Sequence, residues 1–111
     1  MPAAPATDPA GRIGRVIRNV VVGRLLPGAD PAAVQTALDA IVALPVQGCL
    51  DVRVGRDAGL RDGAWGFAIT SDWVDAAAYR AYDLDAEHNR VRDELFGPLC
   101  AEIVRVQFDA G

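Results

Sequence analysis

The stretch VIRNVVVGRLLPGADPAAVQTALDAIVAL, residues 16–44, decides the fold because it joins a strand to a helix through a short turn. β-Branched residues crowd residues 16–26, which predicts a strand that the following Pro-Gly pair ends. Asp30 is the expected N-cap of the helix, and Pro31 occupies its first position, where a missing N–H costs nothing. Before Pro45 ends it, the helix presents one apolar stripe, which consists of Val34, Leu38, Ile41 and Leu44.

Three further segments have the pattern of strands. Residues 48–55 alternate, which places Leu50 with its aliphatic neighbours on one side and Cys49 on the other. A loop with two glycines leads to residues 65–70, where large apolar residues alternate with small ones. Residues 103–108 place Val104, Val106 and Phe108 on one face and Ile103, Arg105 and Gln107 on the other, and are expected to form the last strand.

Two segments between the last two strands have the pattern of helices. The first covers residues 75–82, and Ser71 or Asp72 is its expected N-cap. The second is capped by Asp85 and is expected to run to about residue 99. Both helical segments precede the last strand in the chain, and we expect them to lie in one layer.

The resulting order, β-α-β-β-α-β, is the ferredoxin-like order. It predicts an α+β fold in which one antiparallel sheet carries its helices on one face. Residues 16–111 are long enough to bury a core and are expected to form one domain. Residues 1–15 are rich in Pro and Gly and contain almost nothing large enough to bury, so we expect a disordered tail there.

Both faces of this sheet carry apolar residues, although the helices cover only one face. In the first strand, Val20 and Val22 alternate with Ile17 and Val21, so apolar side chains point both ways. In the last strand, one face is apolar and consists of Val104, Val106 and Phe108. A half-apolar face usually meets another protein surface. The simplest partner is a second copy, and we expect a homodimer formed through the open sheet face.

The amino-acid composition argues against several kinds of catalytic and binding site. All 11 basic residues are arginines, and His88 is the only histidine. Without lysine, the chain has no amine for a Schiff base or a Walker-type phosphate site. His88, Cys49 and Cys100 lack the spacing of a metal site, so we expect neither a metal nor another cofactor. The formal charge of −4 argues against nucleic acid, because phosphates need a clustered basic surface.

No segment has the pattern of a signal peptide or a membrane span. The most apolar window, residues 16–26, is interrupted by two arginines and an asparagine. Cys49 and Cys100 are expected to be free thiols in a reducing compartment. We therefore expect a cytoplasmic protein that does not contact membranes.

His88 is the main candidate for chemistry. It lies near the start of the last helix, where one apolar stripe continues from it through Val91, Leu95 and Leu99. The imidazole is therefore expected to point inward. Two interpretations stay open: a core histidine whose ring nitrogens are satisfied by its neighbours, or a general base in a pocket between helices and sheet.

Four other residues are expected to line such a pocket. Asn19 lies on the helix side of the first strand, where an unpaired amide costs about 1–3 kcal/mol and so needs a partner or a ligand. Tyr79 and Tyr82 are one turn apart on the second helix, and their hydroxyls are expected to rim the pocket. Trp65, at the start of the third strand, is expected to complete the lining.

Four segments resemble one known family. IRNVVVGRLLPGADPAAVQTAL (17–38), VGRD (54–57), ITSDW (69–73) and AYDLDAEH (81–88) look like the stress-responsive A/B barrel (dimeric α/β barrel, Dabb) family. The resemblance covers about residues 16–109. It implies a homodimer whose two sheets close into a barrel. Members include plant stress proteins and a plant polyketide cyclase that catalyses an aldol condensation without a cofactor.

The resemblance to the cyclase-type site is partial. That type has a histidine on the first strand, where this chain has Asn19, and an H-P-x-H motif, of which only His88 is kept. The cyclase-like member also has a tyrosine six residues before this histidine, and Tyr82 matches it. Asn19 can donate or accept a hydrogen bond, but it is not a base. Related haem-degrading enzymes carry a tryptophan about ten residues before the histidine, where this chain has Ala78.

Two functions follow from the resemblance, and both stay open. The first is a stress-type protein that binds a small, mostly apolar molecule and has no defined activity. The alternative is a cofactor-free cyclase or isomerase, in which His88 removes a proton beside a carbonyl while Tyr82 and Asn19 hydrogen-bond the enolate. A haem-degrading or antibiotic-biosynthesis-type monooxygenase ranks below both, and a purely structural assembly module is a further alternative.

Overall fold

The computed structural model of the protein describes residues 15–111, which form a four-stranded antiparallel sheet with helices on one face. The elements in chain order are β1 (Ile17–Leu25), α1 (Pro31–Val42), β2 (Cys49–Arg56), β3 (Phe67–Trp73), α2 (Ala76–Asp83), α3 (Ala86–Val91) and β4 (Cys100–Asp109). A π-helical turn (Arg92–Phe96) and a 3₁₀ turn (Gly97–Leu99) connect α3 to β4. The strand order is β2-β3-β1-β4, and the predicted α+β ferredoxin-like fold is confirmed.

Three further predictions concern the N-terminal tail, the two cysteines and membrane-spanning segments. The predicted tail, residues 1–15, lies outside them except for Arg15, whose Nη1 is 3.4 Å from Oδ2 of Asp109. Cys49 and Cys100 are both free thiols, as expected. Within residues 15–111, no helix combines the length and the apolar composition needed to cross a membrane.

Helix α1 begins as its sequence predicts. The Asp30 carboxylate accepts a hydrogen bond from the backbone N–H of Ala32 at 3.1 Å, and Pro31 is the first helical residue. The helix ends at Val42, three residues before Pro45. Its inward side packs on the sheet and forms the centre of the core; the buried residues are Val34, Ala37, Leu38 and Ile41.

Strand β3 corrects the predicted start of the second helix. The strand runs to Trp73, and Ser71 lies within it, buried, instead of capping a helix. The Ser71 hydroxyl accepts a hydrogen bond from Nε1 of Trp73 at 2.9 Å, so this polar residue is satisfied inside the core. The N-cap of α2 is Asp75, whose carboxylate accepts from the backbone N–H of Ala78 at 2.8 Å.

A β-bulge corrects the predicted alternation of β2. The pairing register shifts between Cys49, which lies opposite Trp73, and Asp51, which lies opposite Asp72. The extra residue in the bulge, Leu50, is exposed instead of sharing the buried side. A bulge inserts one residue into the alternation, which places Cys49 on the helix-covered face of the sheet.

The π-helical turn corrects the predicted stripe of the last helix. A regular helix would bury Leu95 in line with His88 and Val91, but one residue is inserted into the turn that follows α3. Phe96 therefore takes the fully buried place, and Leu95 is only half-buried. The Phe96 ring packs against that of Phe67, with 5.4 Å between the ring centroids.

The face of the sheet away from the helices carries an apolar band. We call it the open-face band; it consists of Val20 and Val22 of β1 and Val104, Val106 and Phe108 of β4. Val20 lies opposite Val106, and Val22 opposite Val104, so the side chains are cross-strand neighbours. Two ion pairs flank the band: Arg18 with Asp72 at 2.7 Å, and Arg24 with Glu102 at 3.1 Å.

Candidate functional site

A cavity of about 40 Å³ lies between the helix-covered face of the sheet and the segments α2, α3 and the π-helical turn. The smallest cavity that holds one water has roughly 10–15 Å³, so this one has room for about three waters or for one part of a larger ligand. Its apolar lining residues are Val21, Ile41, Phe67, Ile69, Phe96 and Ile103. Its polar lining residues are Asn19, Tyr79, Tyr82, Asp83, His88, Arg92 and Arg105.

Asn19 lies in the middle of the sheet and is only 4% exposed, in agreement with its predicted inward position. Its Oδ1 accepts a hydrogen bond at 2.8 Å from Nε2 of Gln107, the residue opposite it on β4. The expected need for a partner is thus met on the acceptor side. The two N–H donors of the amide are not used in this bond, and Asn19 is among the residues that line the cavity.

Three aromatic rings pack in a row, which we call the aromatic column: Trp73, Tyr82 and His88. The Tyr82 ring centroid lies 4.5 Å from that of Trp73 and 4.0 Å from that of His88. Tyr79 meets Trp73 edge-on, with the centroids 6.3 Å apart. Because Trp73 is buried and bonded to Ser71, the column is anchored in the core and orients the His88 ring.

His88 is half-buried and is among the residues that line the cavity. Its backbone N–H donates to Asp85 at 2.9 Å, which confirms that Asp85 caps α3. The ring atom Nδ1 is buried and has no hydrogen-bond partner within residues 15–111. The interpretation of His88 as a core histidine requires a partner for each ring nitrogen, and residues 15–111 provide none for Nδ1.

Burial lowers the pKa of His88 below its usual value of 6.5. The positive charges of Arg92 and Arg105 act in the same direction, while Asp83 and Asp85 oppose them. At neutral pH the imidazole is therefore uncharged, with one nitrogen that donates a hydrogen bond and one that accepts. An uncharged imidazole is the form that can remove a proton from a ligand.

The two tyrosines that line the cavity remain protonated. Burial is the main cause that raises the pKa of Tyr82 far above its usual range, and Asp83 and Asp85 raise it further. Burial also raises the pKa of Tyr79. At neutral pH both phenols are therefore available as hydrogen-bond donors.

Trp65 is the one predicted lining residue that the structure places elsewhere. Its ring lies near the Arg24 guanidinium, 5.8 Å from the ring centroid, and is not part of the cavity wall. The cause is the start of β3, which begins at Phe67 and not at residue 65. Phe67, which shares the predicted side of this strand with Trp65, does line the cavity.

Three charged lining residues are missing from the sequence-based site: Asp83, Arg92 and Arg105. A signal for two of them exists in the spacing. Arg92 follows His88 by four residues and so shares its side of the helix. Arg105 alternates with Ile103 on the helix-covered face of β4. Neither spacing shows by itself that a cavity lies beside these residues.

Within residues 15–111, no cluster of three or more His, Cys, Asp or Glu side chains is placed to hold a metal ion. The cavity offers one imidazole, from His88, and one carboxylate, from Asp83. Protein zinc sites use three or four such ligands, so this donor set does not fit one.

The fold and the cavity together define a class: a small α+β domain of ferredoxin-like order with a pocket between its sheet and its helices. A family model, described as the stress responsive A/B barrel domain, matches residues 17–110. The chain belongs to this family, as the resemblance of its sequence segments predicts. Among curated proteins, none matches the sequence closely enough to count as a relative.

Solved structures of the same fold come from bacteria and plants. A dimeric ferredoxin-like protein of unknown function from Thermobifida fusca is 27% identical, with a TM-score of 0.76 over 86% of this chain and 92% of that one. A hydroxynitrile lyase from Passiflora edulis is 16% identical, with a TM-score of 0.75 over 88% and 95%. A Dabb family protein from Mesorhizobium loti is 17% identical, with a TM-score of 0.68 over 85% and 95%.

Proposed function

We propose that the protein is a homodimer that binds a small, mostly apolar molecule in the cavity beside His88. Six apolar side chains form much of the cavity wall, and Asn19, Tyr82 and His88 are among the polar groups that converge on it. An apolar wall with a few convergent polar groups is the usual form of a small-molecule site. The small volume matches a ligand, or a part of one, with only a few non-hydrogen atoms.

The observation that carries this proposal is the state of the His88 ring. Its Nδ1 is buried without a partner among residues 15–111, and such an atom costs about 1–3 kcal/mol. A side chain held at that cost beside a cavity, in an uncharged state, is typical of a functional group and unusual for a packing residue. Packing against Tyr82 holds the ring at the cavity wall.

A cavity-filling variant tests ligand binding. Ile103→Phe adds bulk to a lining residue, whereas Leu60→Phe makes the matched addition in a loop where the side chain is 87% exposed. Ligand-observed NMR would use 1-butanol, 2-butanone, phenol and butyrate as probes. We expect at least one probe to bind the wild type and Leu60→Phe, and to lose most of its binding to Ile103→Phe.

Two results of that experiment would overturn the binding proposal. One is that none of the four probes binds the wild type. The other is that Ile103→Phe binds them as well as Leu60→Phe does. Native mass spectrometry of the purified wild type adds an independent readout, because a retained cellular ligand would appear as a mass above that of the protein alone.

A second candidate function is cofactor-free proton abstraction next to a carbonyl. It is favoured by the uncharged His88 beside the protonated Tyr82 phenol and the Asn19 amide N–H. In this scheme the imidazole takes the proton, and the two donors hydrogen-bond the oxygen of the enolate that forms. The lyase with the same fold supports the fold only, at 16% identity.

Deuterium exchange into 2-butanone tests this chemistry before any natural substrate is known. In D₂O, NMR follows the loss of protons from the carbons beside the carbonyl. We expect the protein to accelerate exchange and His88→Gln to remove most of that acceleration. Arg80→Gln, an exposed change on α2, is the control. If His88→Gln exchanges as fast as the control, binding without catalysis is the better account.

The open-face band supports the homodimer. Val104, Val106 and Phe108 are each at least 44% exposed, which is unusual for adjacent large apolar residues unless a second surface covers them. The open face of a sheet is self-complementary under a two-fold axis, as a symmetric dimer requires. The Thermobifida protein of the same fold is described as dimeric.

A charge placed in the open-face band tests the dimer. By light scattering during size-exclusion chromatography, the wild type should have twice the chain mass of 11.7 kDa. Val106→Glu should give the mass of one chain, because each dimer would bury two new carboxylates. Leu60→Glu, the same charge in an exposed loop, should remain dimeric. A monomeric wild type, or a fully dimeric Val106→Glu, would refute the proposed interface.

A further inference from the structure

Arg105 is an exposed residue of the edge strand β4 that is also among the residues lining the cavity. On β4 it follows Ile103 on the helix-covered face, opposite Val21 of β1, and all three residues line the cavity. No carboxylate of residues 15–111 lies within ion-pair distance of its guanidinium. Arg105 therefore brings a positive charge to the cavity that no ion pair within the described residues neutralises.

Arg92 brings a second guanidinium to the same cavity. It lies one helical turn after His88, at the start of the π-helical turn. Its ion pair with Asp93 uses Nε alone, at 3.3 Å, and the Asp93 carboxylate is largely exposed. Exposed pairs of this kind are weak, and this one does not involve Nη1 and Nη2 of Arg92.

The charges around the cavity do not cancel. Asp83 is the one carboxylate among the lining residues that the structure describes, against the two guanidiniums of Arg92 and Arg105. The whole chain carries a formal charge of −4, so the net charge of the residues lining the cavity has the opposite sign to that of the chain. A cleft of one sign with apolar walls raises the local concentration of ligands of the opposite sign.

The uncharged polar groups favour the same kind of ligand. Because Oδ1 of Asn19 accepts from Gln107, this amide offers N–H donors. Tyr82 offers the O–H of a phenol that stays protonated. Together with the two arginines, the cavity is rich in donors, and it is therefore matched by a ligand rich in acceptors.

We propose that the cavity selects a small carboxylate, with Arg92 and Arg105 binding the carboxylate group and the apolar wall holding the rest of the molecule. The planar guanidinium fork matches the two oxygens of a carboxylate, and such charge-assisted bonds are stronger than neutral ones. This proposal rests on the proposed ligand-binding function and adds the chemical class of the ligand.

Butyrate and butyramide test the proposal because they share size and shape and differ in charge. Their dissociation constants would be measured by NMR titration at about pH 7.5, where butyrate is ionised. We expect wild type to bind butyrate at least about tenfold more tightly than butyramide. Arg105→Gln and Arg92→Gln should each reduce this ratio severalfold, and added salt should reduce it in the wild type.

Arg80→Gln is the matched control, since Arg80 is exposed on α2 and does not line the cavity. Its ratio should equal that of the wild type, and melting temperatures should verify that all three variants fold. If butyramide binds the wild type as tightly as butyrate, the carboxylate proposal fails while ligand binding stands. If Arg80→Gln lowers the ratio as much as Arg105→Gln, the two arginines of the cavity are not the cause. If neither compound binds, the carboxylate proposal fails, and ligand binding fails with it only if 1-butanol, 2-butanone and phenol do not bind either.

Discussion

Neighbouring residues of the central strand β1 point to two faces of opposite character. Asn19 points to the helices and is buried, beside the buried Ser71 of β3. Val20 points to the open face, opposite Val106, which is 56% exposed. Burial alone would select the reverse, with the polar residues outside and the apolar ones inside. Ser71 is satisfied within the core by Trp73, whereas Asn19 supports the proposed ligand site. The apolar groups outside support the proposed partner surface.

The two faces should also differ in what they contribute to folding. The helix-covered face contains the buried core, whereas the open-face band gains burial only when a second copy is present. Changes on the helix-covered face should therefore lower the stability of the single chain. Matched changes on exposed surface should alter it little.

The largest effect is expected from Leu38→Ala, which removes a fully buried side chain from α1. Substitutions of this kind leave a cavity and cost roughly 2–5 kcal/mol, and we expect about 3 kcal/mol here. Leu60→Ala makes the same change where the side chain is 87% exposed, so it should cost less than about 0.5 kcal/mol. Urea unfolding measures both values, and equal losses would contradict the assignment of the core.

The next largest effect on stability is expected at two strand glycines that face opposite sides of the sheet: Gly23 faces the helices, and Gly55 faces the open side. A Cβ on Gly23 would lie 2.1 Å from Cζ of Phe67, so Gly23→Ala must displace that ring and should cost about 1–3 kcal/mol. A Cβ on Gly55 meets nothing within 4 Å on the open face, and Gly55→Ala should be neutral or slightly stabilising. Urea midpoints of the two variants test the contrast. A stable Gly23→Ala would mean that Phe67 is free to move.

The hydrogen bond inside the sheet gives a smaller effect. Gln107→Ala removes the donor to Oδ1 of buried Asn19 and should cost about 1 kcal/mol. Gln35→Ala removes a bond to Asp39 on the exposed side of α1 and should cost less than half as much. Thermal unfolding compares the two variants. If Gln107→Ala lowers the melting temperature no more than Gln35→Ala does, Asn19 does not depend on Gln107 as a partner.

The smallest expected effects are on the pH dependence of stability. They fall in different pH ranges for the two faces of the sheet. Because the pKa of His88 is lower in the folded chain than its usual 6.5, the unfolded chain binds more protons just below pH 6.5. Stability should therefore fall as pH falls below 6.5, and His88→Gln should remove this loss. On the open face, the hydrogen bond from Arg18 lowers the pKa of Asp72 below 3.8.

The Asp72 contribution is complete above pH 3.8 and should be lost as pH falls below that value. Asp72→Asn should remove this second loss and leave the first unchanged. Urea midpoints measured from about pH 3 to pH 8 check both windows. A wild-type profile and a His88→Gln profile that coincide near pH 6 would rule out the lowered pKa.

Features governed by neighbouring residues were predictable from the sequence. Asp30 and Pro31 predict the start of α1, and the structure has it there. The alternation of β1 predicts that Asn19 points to the helices, and Asp85 is predicted as the cap of α3; both predictions are confirmed. Each of these depends on periodicity or on a cap within a few residues, which are properties of the local chain.

Features that depend on distant contacts were not predictable. Ser71 has the identity of a helix cap, but it continues β3 because Trp73 satisfies its hydroxyl within the core. The bulge after Cys49 shifts the alternation of β2 by one residue, and the π-helical turn shifts the apolar stripe of the last helix by one residue. No local signal in the sequence marks either shift. The same holds for the site, because Arg92 of the π-helical turn and Arg105 of β4 come to one cavity only in the folded chain.

The most direct test of the account is an NMR titration of the His88 ring nitrogens, with and without butyrate. His88 is the only histidine, so its imidazole signals identify themselves. We expect a midpoint below pH 6.5 in the free protein and ring signals that shift when butyrate is added. Ile103→Phe should abolish the shift, and Leu60→Phe should keep it. A midpoint at or above 6.5, with ring signals that do not respond to butyrate, would contradict the account.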